Sequence, residues 1–293
     1  MSVLLRVRRL AIIFLSGVLL VAIVLAGVGS YLSAAVHRTI GDAPPELHAV
    51  TVHIPTSSPS VVTGWFIHGQ PGAGAVLLVH GVRGSRLDML ERARFLARAG
   101  YSILLIDLPG HGESTGDKIT FGAREGVGVA AALAFLRREL PSERIGVIGT
   151  SLGAAALVLA NPQPPADAVI LESMYPTIDE AVRDRLAIRF GFVGAELAPL
   201  LLWQMPLQLG VAAEQLRPVD KIAALGSPVL IAAGTADEHT TWAETQRIFS
   251  AAKNPKELWA VAGAAHVDLY QYSGKQYEDK VLRFFSRYLR HSA

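Results

Sequence analysis

From residue 76 onward, short runs built wholly of apolar residues alternate with longer stretches of helical character. No other feature constrains the fold of this 293-residue chain as strongly. The runs cover residues 76–79, 103–106, 145–148, 168–171, 229–232 and 258–261. A half-wet antiparallel strand alternates apolar with polar residues. A run apolar at every position fits a strand covered on both faces, as in parallel sheets. Between the runs, residues 86–99 read as a helix ending at Gly100, 121–140 as a helix stopped by Pro141, and 152–160 as an Ala-rich helix. The alternation predicts an α/β fold with a mostly parallel central sheet flanked by helices. Upstream, 48–54 and 61–67 read as two antiparallel strands joined by the turn residues 56–60. Residues 174–217 break the pattern, being too long for one crossover and rich in Leu, Ala and Phe. They are expected to form a helical lid insertion, because so apolar a surface must cover something; a crossover helix with an elaborated loop is the plainer alternative.

The N-terminus has a different character. Arg6, Arg8 and Arg9 precede a run, 10–29, with no charged residue. At about 1.5 Å per helical residue such a run can cross a hydrocarbon core of roughly 30 Å. The expected organisation is a cytoplasmic N-terminus (1–9), a transmembrane anchor (10–29), a linker (30–48) and the α/β domain (49–293) with its lid at 174–217. Arginines before the span place that end in the cytoplasm and the domain outside it. A cleaved signal peptide is the rival, since Ser33, Ala34 and Ala35 are small residues suited to cleavage. The net charge of +2, without a basic block, argues against nucleic acid as a partner. The absence of cysteine excludes disulfides, thiolate metal sites and a thiol nucleophile.

Gly149-Thr150-Ser151-Leu152-Gly153 carries the chemistry. An apolar run precedes it and a small-residue helix follows, the setting in which Gly-x-Ser-x-Gly forms a sharp turn presenting the serine. Serine is a weak nucleophile and needs a base oriented by a third group. On such a fold the chain order is Ser, then acid, then His. Three histidines follow Ser151: His239, His266 and His291. His266 stands just past the last apolar run and is the expected base; His239 lies in an earlier acidic loop and His291 in the tail. Asp237, just beyond the run at 229–232, is the expected acid, with Glu172 in reserve. Asp220 precedes that run and Asp268 follows His266 too closely. The backbone N–H groups of Leu152 and Val82 are the expected oxyanion donors, the second from His80-Gly81-Val82-Arg83-Gly84. His80 is read as a structural residue of that loop.

Taken together, His80-Gly81, the segment from Asp107 to Ser114, the serine motif, Gly234-Thr235-Ala236-Asp237 and Gly263-Ala264-Ala265-His266 resemble α/β-hydrolase fold proteins in order and spacing. Among these the chain looks most like membrane-anchored Bem46-like and serine aminopeptidase S33-like members. The resemblance implies a Ser-Asp-His triad, a two-amide oxyanion hole and no cofactor or metal, and it leaves His111 and Glu113 outside the triad. The expected activity is hydrolysis of a small-molecule acyl substrate, carboxylesterase- or lipase-like. A peptidase or thioesterase is the alternative within enzymes, and an inactive membrane-tethered binding protein the alternative outside them.

Overall fold

Every residue of the strands Ala75–Val79, Ser102–Ile106, Ala168–Glu172 and Val229–Gly234 is buried, and so are all of Ile145–Thr150 but the last. The computed structural model describes residues 2–290. Its main sheet has eight strands: β1 (Val50–Pro55), β2 (Val61–Ile67), β3 (Ala75–Val79), β4 (Ser102–Ile106), β5 (Ile145–Thr150), β6 (Ala168–Glu172), β7 (Val229–Gly234) and β8 (Lys256–Val261). Their spatial order is β8-β7-β6-β5-β3-β4-β2-β1. β3 to β8 pair in parallel, whereas β2 runs antiparallel to both β1 and β4.

Period-two alternation sorts the buried side chains onto two faces. Leu77, Val79, Leu104, Val147 and Leu171 pack on one side with Val129 and Leu133 of α3 (Ala123–Glu139) and with α4 (Leu152–Ala160). Val76, Leu78, Ile103, Ile148 and Ile170 pack on the other with Phe95 of α2 (Leu90–Arg98) and Phe285 of α11 (Lys275–Tyr288). Each such aliphatic side chain contributes about 1.5–3 kcal/mol on leaving water, so this two-faced core dominates the stability of the domain. The helix expected from residue 86 opens with a 3₁₀ turn, Arg86–Met89, before α2. Its Ser85 N–H is capped by Asp88.

Between β6 and β7 lie α5 (Ile178–Ala195), α6 (Ala198–Trp203), α7 (Met205–Leu209) and the short α8 (Pro218–Lys221). α5 breaks at Gly191 (φ 64°), and the chain then turns sharply into α6. After β7 come α9 (Trp242–Ala251), β8, α10 (Leu269–Ser273) and α11.

At the N-terminus α1 (Ser2–Leu32) includes an apolar stretch, Arg6–Leu32, with mean hydropathy 2.9 and none of it buried against the domain core. The segment that follows is tied to the domain. Val36 and His37 pair with His111 and Gly112, Ser33 O accepts from Ile119 N at 2.8 Å, and Leu47 is buried.

Candidate active site

Four loops at the carboxyl edge of the parallel strands, the last two acting as a pair, build the site. The first is the turn from β5 into α4. Ser151 sits there with φ 49° and ψ −109°, a conformation costly for a residue with a side chain. Two bonds hold it: Ser151 N donates to Glu172 O at 2.8 Å, and Ser151 O accepts from Ala155 N at 3.0 Å. A Cβ on Gly153 would lie 2.5 Å from Val79 O and 2.6 Å from His80 O. Only a glycine lets α4 begin directly over the end of β3. The first N–H groups of α4, Leu152 among them, have no carbonyl partner within the helix, and the positive end of its dipole lies beside Ser151.

The second loop follows β3. Gly81 passes the serine closely, its Cβ direction pointing to 3.7 Å from Ser151 Cβ. His80 is fully buried. Its Nε2 accepts from Leu108 N at 3.0 Å, so Nδ1 carries the proton and donates to Gly81 O at 2.7 Å. Burial, reinforced by the neighbouring His111, lowers its pKa to about 3, so His80 is a neutral strut and not a base. His111 turns its Nδ1 to Pro109 O at 3.1 Å and packs edge-on against His80.

The third element is a pair of loops zipped together. Ala236 N donates to Ala264 O at 2.9 Å, Thr235 N to Val261 O at 3.0 Å, and Gly263 N to Thr235 Oγ1 at 2.9 Å. A Cβ on Gly234 would lie 2.1 Å from Ala264 O, so a bare glycine is needed for this approach too. The zipping brings His266 Nδ1 to 2.8 Å from Asp237 Oδ2. Asp237 Oδ1 accepts from His239 N at 2.8 Å and Thr240 N at 2.9 Å, which fixes the carboxylate before the histidine arrives. Since a carboxylate only accepts, His266 Nδ1 carries the proton and Nε2 is the nitrogen with the free lone pair. Among the described residues the Ser151 hydroxyl makes no hydrogen bond.

The other sequence candidates have separate partners. Glu172 is fully buried and bonded to Arg92 at 2.8 Å, to Thr150 Oγ1 at 3.1 Å and to the Tyr277 hydroxyl. It braces the serine turn from below and has no bond to His266. Asp268 binds the same Arg92 at 2.9 Å and caps α10. Asp220 pairs with Arg217 at 2.5 Å. The His239 ring lies 5.1 Å from that of His266, with its Nδ1 buried and unbonded. Burial, then Arg185 and His266, push its pKa down. His291 lies outside the described residues.

Two buried arginines escape the sequence reading. Arg92 ties Glu172, Asp268 and Tyr277 into one network. Arg86 lies against Trp65 and pairs with Asp107 and Glu113. Their partners stand up to 185 residues away in sequence, beyond the reach of any local pattern. Glu113 is pushed up by burial, but Arg86 and the amides of Gly41 and Ile40 outweigh this and hold its carboxyl at about 2. A cavity of about 480 Å³ lies under α6 and α7, lined by Thr177, Leu202, Trp203 and Arg217 among others. Ser151, Asp237 and His266 do not line it.

Sheet order, a serine on a strained strand-to-helix turn and an Asp–His pair on the next loops are the marks of one large class, the α/β hydrolases. The chain belongs to that class: the alpha/beta hydrolase family model matches residues 76–279. Protein Rv2307c of Mycobacterium tuberculosis is 31% identical over 226 residues, covering 76% of this chain and 74% of its own. YqkD of Bacillus subtilis is 23% identical over 235 residues, 79% of this chain and 77% of its own. The Pyrococcus furiosus esterase Pf2001 superposes with a TM-score of 0.72 at 22% identity, covering 88% of this chain and 98% of its own.

Proposed function

We propose that the chain is a serine hydrolase of carboxylic esters, with Ser151 as nucleophile, His266 as general base and Asp237 as its orienting acid. The observation that carries this reading is the 2.8 Å bond between His266 Nδ1 and Asp237 Oδ2, at the same carboxyl edge of the sheet as a serine held on a strained turn. His266 Nε2 takes the Ser151 proton as the oxygen attacks the acyl carbonyl. The N–H groups of Leu152 and Val82 receive the oxyanion. His266⁺, stabilised by Asp237, protonates the leaving alcohol. It then deprotonates a water that attacks the acyl-enzyme, releasing the acid and restoring the serine. The substrate is a small acyl compound. α5–α7 serve as the lid, and α1 as an anchor in the membrane with the domain outside the cytoplasm.

The test is a fluorophosphonate probe alongside a p-nitrophenyl ester assay. Wild-type protein is expected to label at Ser151 and to turn over ester. S151A is expected to lose labelling and roughly 10⁴-fold or more in kcat. An S151A variant that keeps most of its esterase activity overturns the assignment. A wild-type protein that neither labels nor hydrolyses esters turns the reading toward a non-catalytic tethered domain.

A further inference from the structure

The surface of α5–α7 carries large apolar side chains that nothing in the fold covers. Phe190, Phe192, Val193, Trp203 and Leu207 are between 66% and 80% exposed. The break at Gly191 turns Phe190 and Phe192 outward from the helix body. Left in water, such a patch is an adhesive liability.

Its place relative to α1 says what covers it. Gln204 Nε2 donates to Leu25 O at 3.0 Å and Gln208 Nε2 to Ala26 O at 3.1 Å. Gln208 Nε2 also donates to Gln204 Oε1 at 2.6 Å, and Gln204 presses on Gly29. The insertion is therefore seated on α1 well before the helix ends at Leu32. Arg9 is the last charged residue before the apolar run. Counting about 1.5 Å per residue from Arg9, Leu25 and Ala26 lie roughly 24–26 Å along the helix, a few ångströms short of the far side of a ~30 Å hydrocarbon core. Trp203 and Leu207 are the chain neighbours of Gln204 and Gln208, so their backbone stands close to the same level. That level is the headgroup–acyl boundary, where interfacial helices bury their apolar face about 5–10 Å deep and where Trp concentrates. The glutamine amides also fit this level, because their polar groups are satisfied by helix carbonyls and by each other.

We propose that the exposed apolar face of α5–α7 is immersed in the outer leaflet of the membrane that α1 crosses, so that the protein contacts lipid at two places, the span and this foot. The inference rests on the membrane reading of α1 given above.

The absence of native cysteine makes the test clean. Full-length protein bearing one of V18C, W203C, L207C or K253C is labelled with an environment-sensitive fluorophore and reconstituted in phosphatidylcholine vesicles. The vesicles contain a lipid nitroxide placed either near the glycerol or near the acyl terminus. Position 18 reads the span, and Lys253 is exposed just before β8, at the end of the sheet away from Ser151. The expected result is deep quenching at position 18 and none at 253. Positions 203 and 207 should be quenched roughly twofold or more strongly by the shallow nitroxide than by the deep one. Quenching at 18 without quenching at 203 and 207 overturns the foot and leaves the anchor standing. A blue-shifted but unquenched label at 203 overturns it as well, because a second copy or another protein then covers the patch. No quenching at 18 removes the anchor, and the foot with it.

Discussion

His80 shows how much a single side chain can decide without touching substrate. The Gly81 carbonyl that accepts from His80 Nδ1 and the N–H of Val82 belong to one planar trans peptide, so they point in opposite directions. Fixing the carbonyl therefore aims the N–H. Losing one oxyanion donor costs about 10²–10³ in kcat; H80A, which frees the peptide rather than deleting it, is expected to lower kcat roughly 10–100-fold on a soluble ester. KM should change little, and a thermal melt run in parallel separates this from unfolding. H80Q, which keeps most of the volume but lacks a donor at the Nδ1 position, is expected to lose about as much kcat; an H80Q variant with wild-type kcat would mean that burial volume, not the Nδ1 bond, is what matters. The imidazole has a folded-state pKa near 3 against the ordinary 6.5. The unfolded chain thus binds the extra proton between those values, and stability falls as pH drops below 6.5. The places of Ser151, Asp237 and His266 just beyond strand ends are legible in the sequence because each follows an apolar run. That His80 is a structural residue of its loop is legible as well; the bond from Leu108 N that fixes its ring is not, because Leu108 lies 28 residues away.

At the scale of elements, the central strands β3 to β7 are legible because burial on both faces leaves polar residues only at their ends; β8 is half-buried and begins with Lys256 and Glu257, so only its apolar run 258–261 is legible. The insertion is legible as apolar and helical, but its break at Gly191 and its seat on α1 depend on tertiary contacts. One contact of α5 gives a measurable pH dependence. Asp184 on α5 is pushed up to about 7, first by burial and then by the carboxylates of Glu244 on α9 and Glu180 on its own helix, with Arg185 opposing. The folded state therefore holds a proton that the unfolded chain releases near 4. Between about pH 4 and 7 the folded form binds this proton more tightly, so the contribution of Asp184 to stability declines as pH rises through that window, against the opposite slope from His80. D184N removes the titration. Its melting temperature is expected to exceed wild type at pH 8 and to match it near pH 5, as thermal melts across the range would reveal. A difference between D184N and wild type that stays constant from pH 5 to 8 would contradict a raised carboxyl at the α5–α9 contact.

For the whole molecule, the question is how α1 is joined to the domain. Of residues 30–48, read from sequence as a linker, the first three continue α1 and 33–48 lie along the domain as a strap. Glu113 Oε1 accepts from Ile40 N at 2.8 Å and Gly41 N at 3.0 Å, and its other oxygen meets the buried Arg86. None of this shows in the sequence, since the strap contributes mainly backbone groups, which every residue carries alike. A strap bound to the segment 110–119 sets the orientation of α1 at its exit and holds the ion pairs of Arg86 together, so shortening the chain should act in two stages. A chain beginning at Ser30 loses nearly all of α1 and retains the strap; it is expected to melt within a few degrees of wild type and to hydrolyse a soluble short-chain ester at an unchanged rate. A chain beginning at Ala49 also loses the two amide donors and the buried Leu47, together worth roughly 3–5 kcal/mol. For a domain of this size that corresponds to a fall in Tm of roughly 10 °C. Equal melting temperatures for the two truncations would show the strap to be energetically idle. A large loss already in the first would place the stabilising contact in α1 itself, at Gln204 and Gln208, where the insertion grips the helix.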